Sequence, residues 1–414
     1  MRIQTFGTFA VISIIRGHIR VIRGYMKVLF VATAYQRYQG DVITPWMIEL
    51  IQRLRSRSID VSVFTSSYKG MKNQIIDGVP VHRFRYFFKK YERLTHEENA
   101  VDRLGRGPLN MLLSVCYIIF GTIAIYRVTR ARRFDIVHIH WPFPHIIFGL
   151  AAKYFGHARL FATFYGLEIR WLKKKFKFLV KLFSILLNRA QVITAISRHT
   201  ARELIGITSK KIPVIPFSTP IREKPGTVSD DKVIIFVGRA VQRKGVDYLI
   251  KAFALIKDEI PHRLVIVGDG PERPSWEKLA RDVDKSNRIE FTGWITDREL
   301  SDRYRTSSFF VLPAVYDKHG DTEGLGVVMI EAMSYTKPVI ASNVGGIADV
   351  VEDGVNGILV PTGNVAILAQ AMKKLATDKA LCLKMGTAAK KIVDERFNWD
   401  KITERMIALY EEYY

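Results

Sequence analysis

Short apolar runs rich in β-branched residues alternate with helical patterns along most of the chain. This alternation is typical of parallel sheets whose strands are joined by crossover helices. We therefore predict two similar α/β halves with six strands each. The predicted strands are 28–32, 61–65, 81–85, 136–140, 160–163 and 192–195 in the first half, and 233–237, 263–267, 289–291, 309–312, 338–341 and 357–360 in the second.

The same patterns divide the chain into five segments. Residues 1–25 form an extension that we expect to be either disordered or a membrane tether, since its apolar run is too short to span a bilayer. Rossmann-like domains are predicted at 26–215 and 232–395, with a proline-containing polar linker at 216–231 between them. Residues 396–414 are predicted to form a helix that can return to the first domain.

Composition is that of a folded globular protein, but the charge is unevenly distributed. The 414 residues are 48% hydrophobic and 25% charged, and the formal net charge is +23. Residues 1–220 carry 35 lysines and arginines against 11 acidic residues, whereas the rest of the chain is nearly neutral. A basic half predicts an anionic partner, either a membrane leaflet or a nucleic acid. Two cysteines far apart in sequence, Cys116 and Cys382, indicate a reducing compartment.

Two glutamates eight residues apart, Glu323 and Glu331, are the first chemical signal. Eight residues is slightly more than two helical turns, so both carboxylates can lie on one face of one helix, roughly 12 Å apart along its axis. That separation suits two contacts along an extended ligand better than a hydrolytic pair of carboxylates. Gly324 and Gly326 would leave backbone N–H groups open to an anion at the helix start. The pattern favours a long ligand that carries hydroxyls and phosphate.

Two loops that follow predicted strands carry further candidate groups. Gly238 precedes Arg239 and Lys244, two cations that suit a diphosphate, although a solvated helix start would show the same residues. Gly268 begins a Gly-Asp-Gly-Pro turn that lets the backbone approach a ligand closely. The turn lacks the third glycine of a dinucleotide-binding fingerprint, so by itself it is better explained as a tight strand-to-helix connection.

In their order and spacing these elements resemble the donor-binding half of the GT-B glycosyltransferases, in particular the retaining enzymes of family 4 with an E-x7-E motif. The resemblance covers essentially the whole second half, and includes residues 291–293, 345–346, 352–357 and 397–399. It implies a GT-B fold, in which two Rossmann-like domains with parallel sheets face each other across a cleft. The N-terminal domain would bind the acceptor and the C-terminal domain the nucleotide sugar.

The resemblance also implies roles for single residues. Arg239 and Lys244 would hold the donor diphosphate, Glu331 would accept hydrogen bonds from the ribose, and Glu323 would contact the transferred sugar. With the two cations, Glu323 forms the implied catalytic set. Taken alone, Glu323 could instead be a charge at a helix start, and Glu331 a satisfied buried carboxylate. The other implied donor contacts are Gly40, Gly238, Gly268, Gly324, Leu325, Gly326 and Val327, with Trp294 and Ile295 near the base.

The first half departs from the family pattern at the cleft. Tyr165 stands where relatives carry a histidine that faces the sugar, and tyrosine is a poor base at neutral pH. His140, at the end of a predicted strand, points toward the same cleft by position, and a structural histidine is an equal alternative. Tyr165, His140 and Glu168 are therefore candidate sugar or acceptor contacts.

A basic amphipathic stretch follows at 170–187. Its lysines crowd at the start and its apolar residues recur at helical spacing, which is typical of an interfacial helix on anionic lipid. A core helix with a solvated basic face is the alternative. A second apolar run, 111–126, is too short to span a bilayer and fits a crossover helix. The predicted membrane contacts are Lys173, Lys174, Lys175 and Lys177.

From these features we expect a retaining hexosyltransferase that moves a sugar from a nucleotide sugar to a membrane-associated or lipid-linked glycan. It would be cytoplasmic and peripheral at the inner face of the membrane. Arg239, Lys244 and the helix dipole can stabilise charge, so no essential metal or other cofactor is expected, and no nucleic-acid-binding module is recognisable. The alternatives are another GT-B enzyme, either a nucleotide-sugar epimerase or a sugar-phosphate synthase, and a catalytically silent membrane-binding subunit.

Overall fold

The computed structural model describes residues 10–15, 18–23, 25–41, 43–96, 107–219, 231–318 and 320–414, the first two ranges by their backbone alone. Its strands are β1 (Ala10–Ile15), β2 (His18–Arg23), β3 (Lys27–Val31), β4 (Asp60–Ser66), β5 (Gln74–Ile76), β6 (Val79–Phe84), β7 (Ile136–His140), β8 (Arg159–Phe164), β9 (Val192–Ala195), β10 (Val233–Val237), β11 (Arg263–Val267), β12 (Ile289–Gly293), β13 (Phe309–Leu312), β14 (Val339–Ser342) and β15 (Gly357–Val360). Its helices are α1 (Pro45–Ser56), α2 (Pro108–Ala131), α3 (Pro142–Gly156), α4 (Leu167–Lys175), α5 (Val180–Leu187), α6 (Arg198–Glu203), α7 (Val246–Ile256), α8 (Arg273–Val283), α9 (Asp297–Thr306), α10 (Val327–Ser334), α11 (Val365–Thr377), α12 (Lys379–Arg396) and α13 (Trp399–Glu412).

Two sheets organise the chain into two α/β domains. The first sheet has the strand order β5-β6-β4-β3-β7-β8-β9 and the second the order β12-β11-β10-β13-β14-β15. Neighbouring strands are parallel throughout, except that β5 pairs antiparallel with β6. The predicted fold class is confirmed, and each of the twelve predicted strands is present within two residues. Strands β1, β2 and β5 were not predicted. Strand β5 has too few residues to show a period of two, and β1 and β2 lie in the segment that was interpreted as an extension.

Side chains of the first sheet alternate between two cores, as expected of strands buried on both faces. Leu29 and Val31 of β3 pack with α2, α3 and α5 on one face. Val28 and Phe30 pack with α1 on the other face, and α13 joins them there. The C-terminal helix therefore completes the core of the first domain, although it follows the second domain in sequence.

Polar contacts as well as apolar packing hold α13 in this place. The indole N–H of Trp399 donates to the carbonyl oxygen of Thr219 at 2.7 Å. At the far end of the helix, a hydrogen bond of 2.7 Å joins the Tyr410 hydroxyl to Nδ1 of His138 on β7. Both partners are buried, and burial lowers the pKa of His138 to about 3, so the imidazole is neutral.

The described part of the N-terminal segment lies outside the two large sheets. Strands β1 and β2 pair antiparallel as a separate two-stranded sheet. The membrane-tether hypothesis for residues 1–25 stays a prediction. Most of the predicted linker, residues 220–230, lies outside the described residues.

We predict that Tyr410→Phe lowers the free energy of unfolding by about 1–3 kcal/mol, because it leaves a buried ring nitrogen of His138 without a partner. Urea denaturation followed by circular dichroism measures the change. The matched control is Tyr414→Phe, at a tyrosine that is partly exposed near the end of the chain. Equal stability of the two variants would contradict the role given to the Tyr410 hydroxyl.

Candidate active site

Glu323 and Glu331 do not lie on one helix, because the helical conformation does not extend back to Glu323. Helix α10 begins at Val327, because Gly326 before it has a positive φ of 79° from which the helix does not extend backwards. Glu323 therefore lies in the preceding loop, and Glu331 is the fifth residue of the helix. The prediction that both carboxylates lie on one face of one helix was wrong, since that spacing argument requires an uninterrupted helix.

Two glycines after β14 hold the Glu323 loop in place. The N–H of Gly346 donates to the carbonyl oxygen of Glu323 at 2.9 Å. A Cβ atom on Gly345 would lie 2.2 Å from that same oxygen, and one on Gly346 would lie 1.9 Å from the carbonyl oxygen of Gly324. Only glycine allows the two backbones to approach this closely, so the pair sets the position of the Glu323 carboxylate.

The Glu323 carboxylate is held by two cations. Its Oε2 lies 2.6 Å from Nζ of Lys244 and 3.0 Å from a guanidinium nitrogen of Arg243, and its side chain is only 12% exposed. Burial acts to raise the pKa of Glu323, but the Lys244 ammonium and the Arg243 guanidinium outweigh it and lower the pKa to about 2. The carboxylate is therefore ionised throughout the physiological range.

Both cations come from the turn that follows β10. Residues 242–244 form a single 3-10 turn, and Gly245 ends it with a φ of 65°. Lys244 is buried against Glu323, whereas Arg239 is exposed on the same loop, and the predicted binding of a diphosphate by both stays a prediction. Arg243 was not predicted as a site residue. Its position next to Lys244 was the available signal, since successive basic residues in a tight turn can point to one anion.

Glu331 binds side chains from two distant parts of the chain. The Tyr304 hydroxyl donates to Oε2 at 2.9 Å, and the Thr219 hydroxyl donates to Oε1 at 3.2 Å. Burial raises the pKa of Glu331, and these two donors together with the Lys244 ammonium act in the opposite direction. Nothing in the local sequence of Thr219 or Tyr304 indicates this contact.

Three glycines bring the loops after β10, β11 and β12 together. Gly268 has a φ of 119°, and a Cβ atom there would lie 2.1 Å from the carbonyl oxygen of Gly238. Its N–H donates to the carbonyl oxygen of Gly293 at 2.9 Å. Beyond Gly293, Trp294 is 73% exposed and Ile295 packs partly against the core. The predicted donor loops are thus neighbours in space.

Residues of the first domain form the facing wall. Tyr165 stacks on Trp141 at 4.5 Å between ring centroids, and its hydroxyl is joined to Nδ1 of His140 by a hydrogen bond of 2.7 Å. Its carbonyl oxygen lies only 3.2 Å from the position of a Cβ atom on Gly324, so the two domains touch beside Glu323. His140 is buried behind Tyr165, and burial lowers its pKa well below the usual range, so it is neutral.

Glu168 and Gly40, two other predicted contacts, have different surroundings. Glu168 is buried, and its Oε1 accepts from the backbone N–H of Tyr165 at 2.7 Å. Burial raises the pKa of Glu168 to about 7. Gly40 follows β3 with a φ of 84°, and a Cβ atom there would meet open space.

A series of ion pairs crosses the cleft. Arg170 of α4 binds Glu203 at 3.0 Å and, on the second domain, Asp321 at 2.6 Å. Asp321 lies 3.7 Å from Arg243, which in turn binds Glu323. The charges that hold the Glu323 carboxylate are therefore connected to the first domain, a link that sequence alone did not predict.

The four lysines predicted to contact a membrane have different surroundings. Lys173 donates to the backbone carbonyl of Glu203, and Lys174 lies beside Gly320 of the second domain. Lys175 and Lys177 are exposed. Their contact with lipid stays a prediction. In the described part of the chain, no group of three or more His, Cys, Asp or Glu side chains is placed to hold a metal ion.

Comparison with curated proteins finds relatives along nearly the whole chain. An uncharacterized glycosyltransferase of Methanocaldococcus jannaschii is 27% identical over 390 residues, 94% of this chain and 98% of that protein. A second one from the same organism is 32% identical over 190 residues, so the matched part spans only 47% of its length. A GDP-mannose-dependent alpha-(1-6)-phosphatidylinositol monomannoside mannosyltransferase of Mycobacterium tuberculosis is 26% identical over 275 residues, 62% of this chain and 70% of that protein.

Solved structures and family models agree with these relatives. Sucrose-phosphate synthase of Thermosynechococcus elongatus has a TM-score of 0.71 at 20% identity, covering 94% of this chain and 98% of its own. HepE of Anabaena, solved with UDP and glucose, has a TM-score of 0.67 at 18% identity, covering 94% and 100%. The model of the glycosyltransferase family 4 domain matches residues 46–217, and that of the glycosyl transferases group 1 matches residues 217–392. The chain therefore belongs to the GT-B glycosyltransferases of the group 1, family 4 type.

Proposed function

We propose that the protein is a retaining hexosyltransferase that moves a sugar from a nucleotide sugar to a membrane-associated or lipid-linked glycan. One observation carries the proposal: Lys244 and Arg243 hold the Glu323 carboxylate at the point where the second domain meets Tyr165 of the first. Two similar proteins support it. HepE was solved with UDP and glucose, and the mycobacterial relative is named for a GDP-mannose donor and a phosphatidylinositol mannoside acceptor.

Donor binding would redistribute this ion cluster. The diphosphate attracts Lys244 and Arg243, and the exposed Arg239 can turn toward it from the same loop. The backbone N–H groups of 324–327 lie at the start of α10, where the helix dipole favours the same anion. Glu323, relieved of part of its ion pairing, then accepts hydrogen bonds from hydroxyls of the sugar.

The transfer step breaks the bond between the anomeric carbon and a diphosphate oxygen. The acceptor hydroxyl oxygen forms the new bond on the same face of the sugar, and its proton passes to the departing diphosphate oxygen. Lys244 and Arg243 stabilise the charge that develops on the leaving group. Glu323 acts in this route as a hydrogen-bond acceptor for the sugar hydroxyls, so no covalent intermediate on the carboxylate is required.

We propose that the enzyme lies in the cytoplasm, peripheral at the inner face of the membrane. This proposal rests on the excess of basic residues in 1–220, which complements an anionic leaflet, and on the lipid-linked acceptor of the mycobacterial relative. No metal ion or other cofactor is part of the proposed reaction, because Lys244, Arg243 and the start of α10 supply positive charge at the diphosphate.

The direct test incubates the protein with a panel of nucleotide sugars and a lipid extract, and then identifies the products. We expect free nucleoside diphosphate and a new glycolipid with the anomeric configuration of the donor, at a rate that EDTA does not change. An isomerised nucleotide sugar or a sugar phosphate would contradict the proposal, and so would the opposite anomeric configuration.

For Glu323→Gln we predict two opposite effects. Transfer falls about 100-fold, because a preorganised contact with the sugar is lost. Affinity for the free nucleoside diphosphate rises, because Lys244 and Arg243 no longer face a competing carboxylate. Isothermal titration and initial rates measure the two quantities on protein that remains folded. Lys244→Met is the comparison variant and should lower both. A parallel loss of both quantities in Glu323→Gln would show that the carboxylate does not compete with the diphosphate.

For Glu331→Gln we predict that nucleoside diphosphate binds about 10-fold more weakly, the effect of one lost hydrogen bond to a charged group. The rate at saturating donor should change little, since a ribose contact is made equally before and during transfer. Titration and steady-state kinetics separate these effects. Glu352→Gln, at a half-exposed glutamate paired with Arg396, is the control. Unchanged nucleotide affinity in Glu331→Gln would leave the carboxylate as a structural partner of Tyr304 and Thr219 only.

A further inference from the structure

Helix α2 is apolar on all sides but buried on only one. Its buried residues recur every four positions and form a single stripe: Leu113, Tyr117, Gly121, Ile125 and Thr129. The rest of the surface is exposed and mostly apolar, with Leu109, Met111, Leu112, Val115, Ile119, Phe120, Ile123 and Tyr126. A helix that is hydrophobic all round normally lies in a protein core or in a membrane, so the exposed side of α2 lacks an explanation within the described residues.

Helix α2 has 24 residues and extends the apolar run 111–126 at both ends, so the expectation that this segment is too short to span a bilayer does not hold for the full helix. By length and apolar composition α2 could cross a bilayer, but its packing holds it flat on the first domain. The Tyr117 hydroxyl is joined to Nε2 of His145 on α3 by a hydrogen bond of 3.0 Å. A Cβ atom on Gly121 would lie 2.3 Å from the Phe148 ring, which shows how closely the two helices pack. A span would break these contacts, whereas a helix parallel to a surface keeps them.

The exposed apolar surface continues onto the neighbouring helices on the same side of the sheet. The rings of Tyr126 on α2 and Phe155 on α3 are in contact at 5.3 Å between centroids. Beneath this surface, Phe143 of α3 packs against the buried Phe183 of α5 at 5.7 Å between ring centroids, which places α5 beside α3. We name this surface the apolar face. It comprises the eight exposed α2 residues given above, Ile147, Tyr154 and Phe155 of α3, and Phe178, Leu182 and Ile185 at and beside α5.

The charged residues within the three helices of the apolar face have one sign. Helices α2, α3 and α5 contain no aspartate or glutamate, and Asp135 is the one acidic residue between positions 103 and 167. The basic residues on or beside the three helices include Arg127, Arg130, Lys153, Lys177 and Lys181. Apolar surface rimmed by cations complements an anionic lipid leaflet. A second copy of the same face would instead bring like charges together.

We propose that the apolar face docks on an anionic bilayer, with α2 parallel to the membrane plane, its exposed side chains among the acyl chains and the flanking cations at the lipid phosphates. The exposed Lys175 and Lys177 lie at the edge of this contact. Helix α4 separates the edge from Tyr165 and has nine residues, about 13 Å in length. The cleft would therefore open close to the headgroups. As far as it concerns a lipid-linked acceptor, this inference rests on the proposed function.

The test is co-sedimentation of the full chain with vesicles of phosphatidylcholine alone or with phosphatidylglycerol. We expect binding at least 10-fold tighter to the anionic vesicles, and a loss of at least 10-fold in the variant Val115→Asp/Ile119→Asp. The matched control is Leu255→Asp/Leu383→Asp, which places the same charges on exposed leucines of the second domain and should bind like wild type. Equal loss in both variants, or equal binding to both kinds of vesicle, would overturn the proposal.

Two further measurements separate this inference from its rivals. Nucleoside diphosphate titration should give the same affinity for Val115→Asp/Ile119→Asp as for wild type. A loss of vesicle binding can then be distinguished from a loss of nucleotide binding at the proposed donor site. Sedimentation velocity without lipid should show a monomer. A wild-type dimer that the double substitution converts to monomer, with no vesicle binding in either, would identify the apolar face as a contact between copies and overturn lipid docking.

Discussion

The ion pair between Glu323 and Lys244 is the interaction on which the candidate active site depends. A carboxylate and an ammonium can be buried together only when each compensates the other, so neither loop can hold its charge in place alone. The pair is possible because β10 and β13 are neighbours at the centre of the second sheet. The order in which successive strands are added to the sheet reverses between β10 and β13. In open α/β sheets, ligands bind outside the carboxyl ends of the strands at such a point.

The same charges extend beyond the donor loops. Arg243 contacts both Glu323 and Asp321, and Asp321 binds Arg170 of the first domain. A ligand that draws Arg243 toward a diphosphate therefore acts on a contact between the domains. If the proposed donor binds there, this connection would couple its diphosphate to the contact between the domains, since the charges of one network act on each other.

The predictions from sequence succeeded where the signal was local and failed where it depended on contacts between distant segments. The strands were found because their apolar runs are short, β-branched and separated by turns. The close backbone approach at Gly268 was predicted because glycine directly after a strand permits it. Arg243 was missed although it is adjacent to Lys244, and Glu323 was placed on a helix that Gly326 interrupts. For His140 the sequence left two interpretations, a cleft contact and a structural histidine, and the structure buries it beside the Tyr165 hydroxyl.

By itself the sequence determined the parallel α/β architecture, the two domains, the basic first half and the residue types of the donor loops, because periodicity, charge and turn chemistry are properties of neighbouring residues. Only the tertiary structure decided which groups meet. Glu331 accepts hydrogen bonds from Thr219 and Tyr304, and Tyr410 is hydrogen-bonded to His138. One side of α2 is exposed. Those pairings follow from the order of strands in the sheets and from the packing of layers, and both are set by long-range burial that no local pattern encodes.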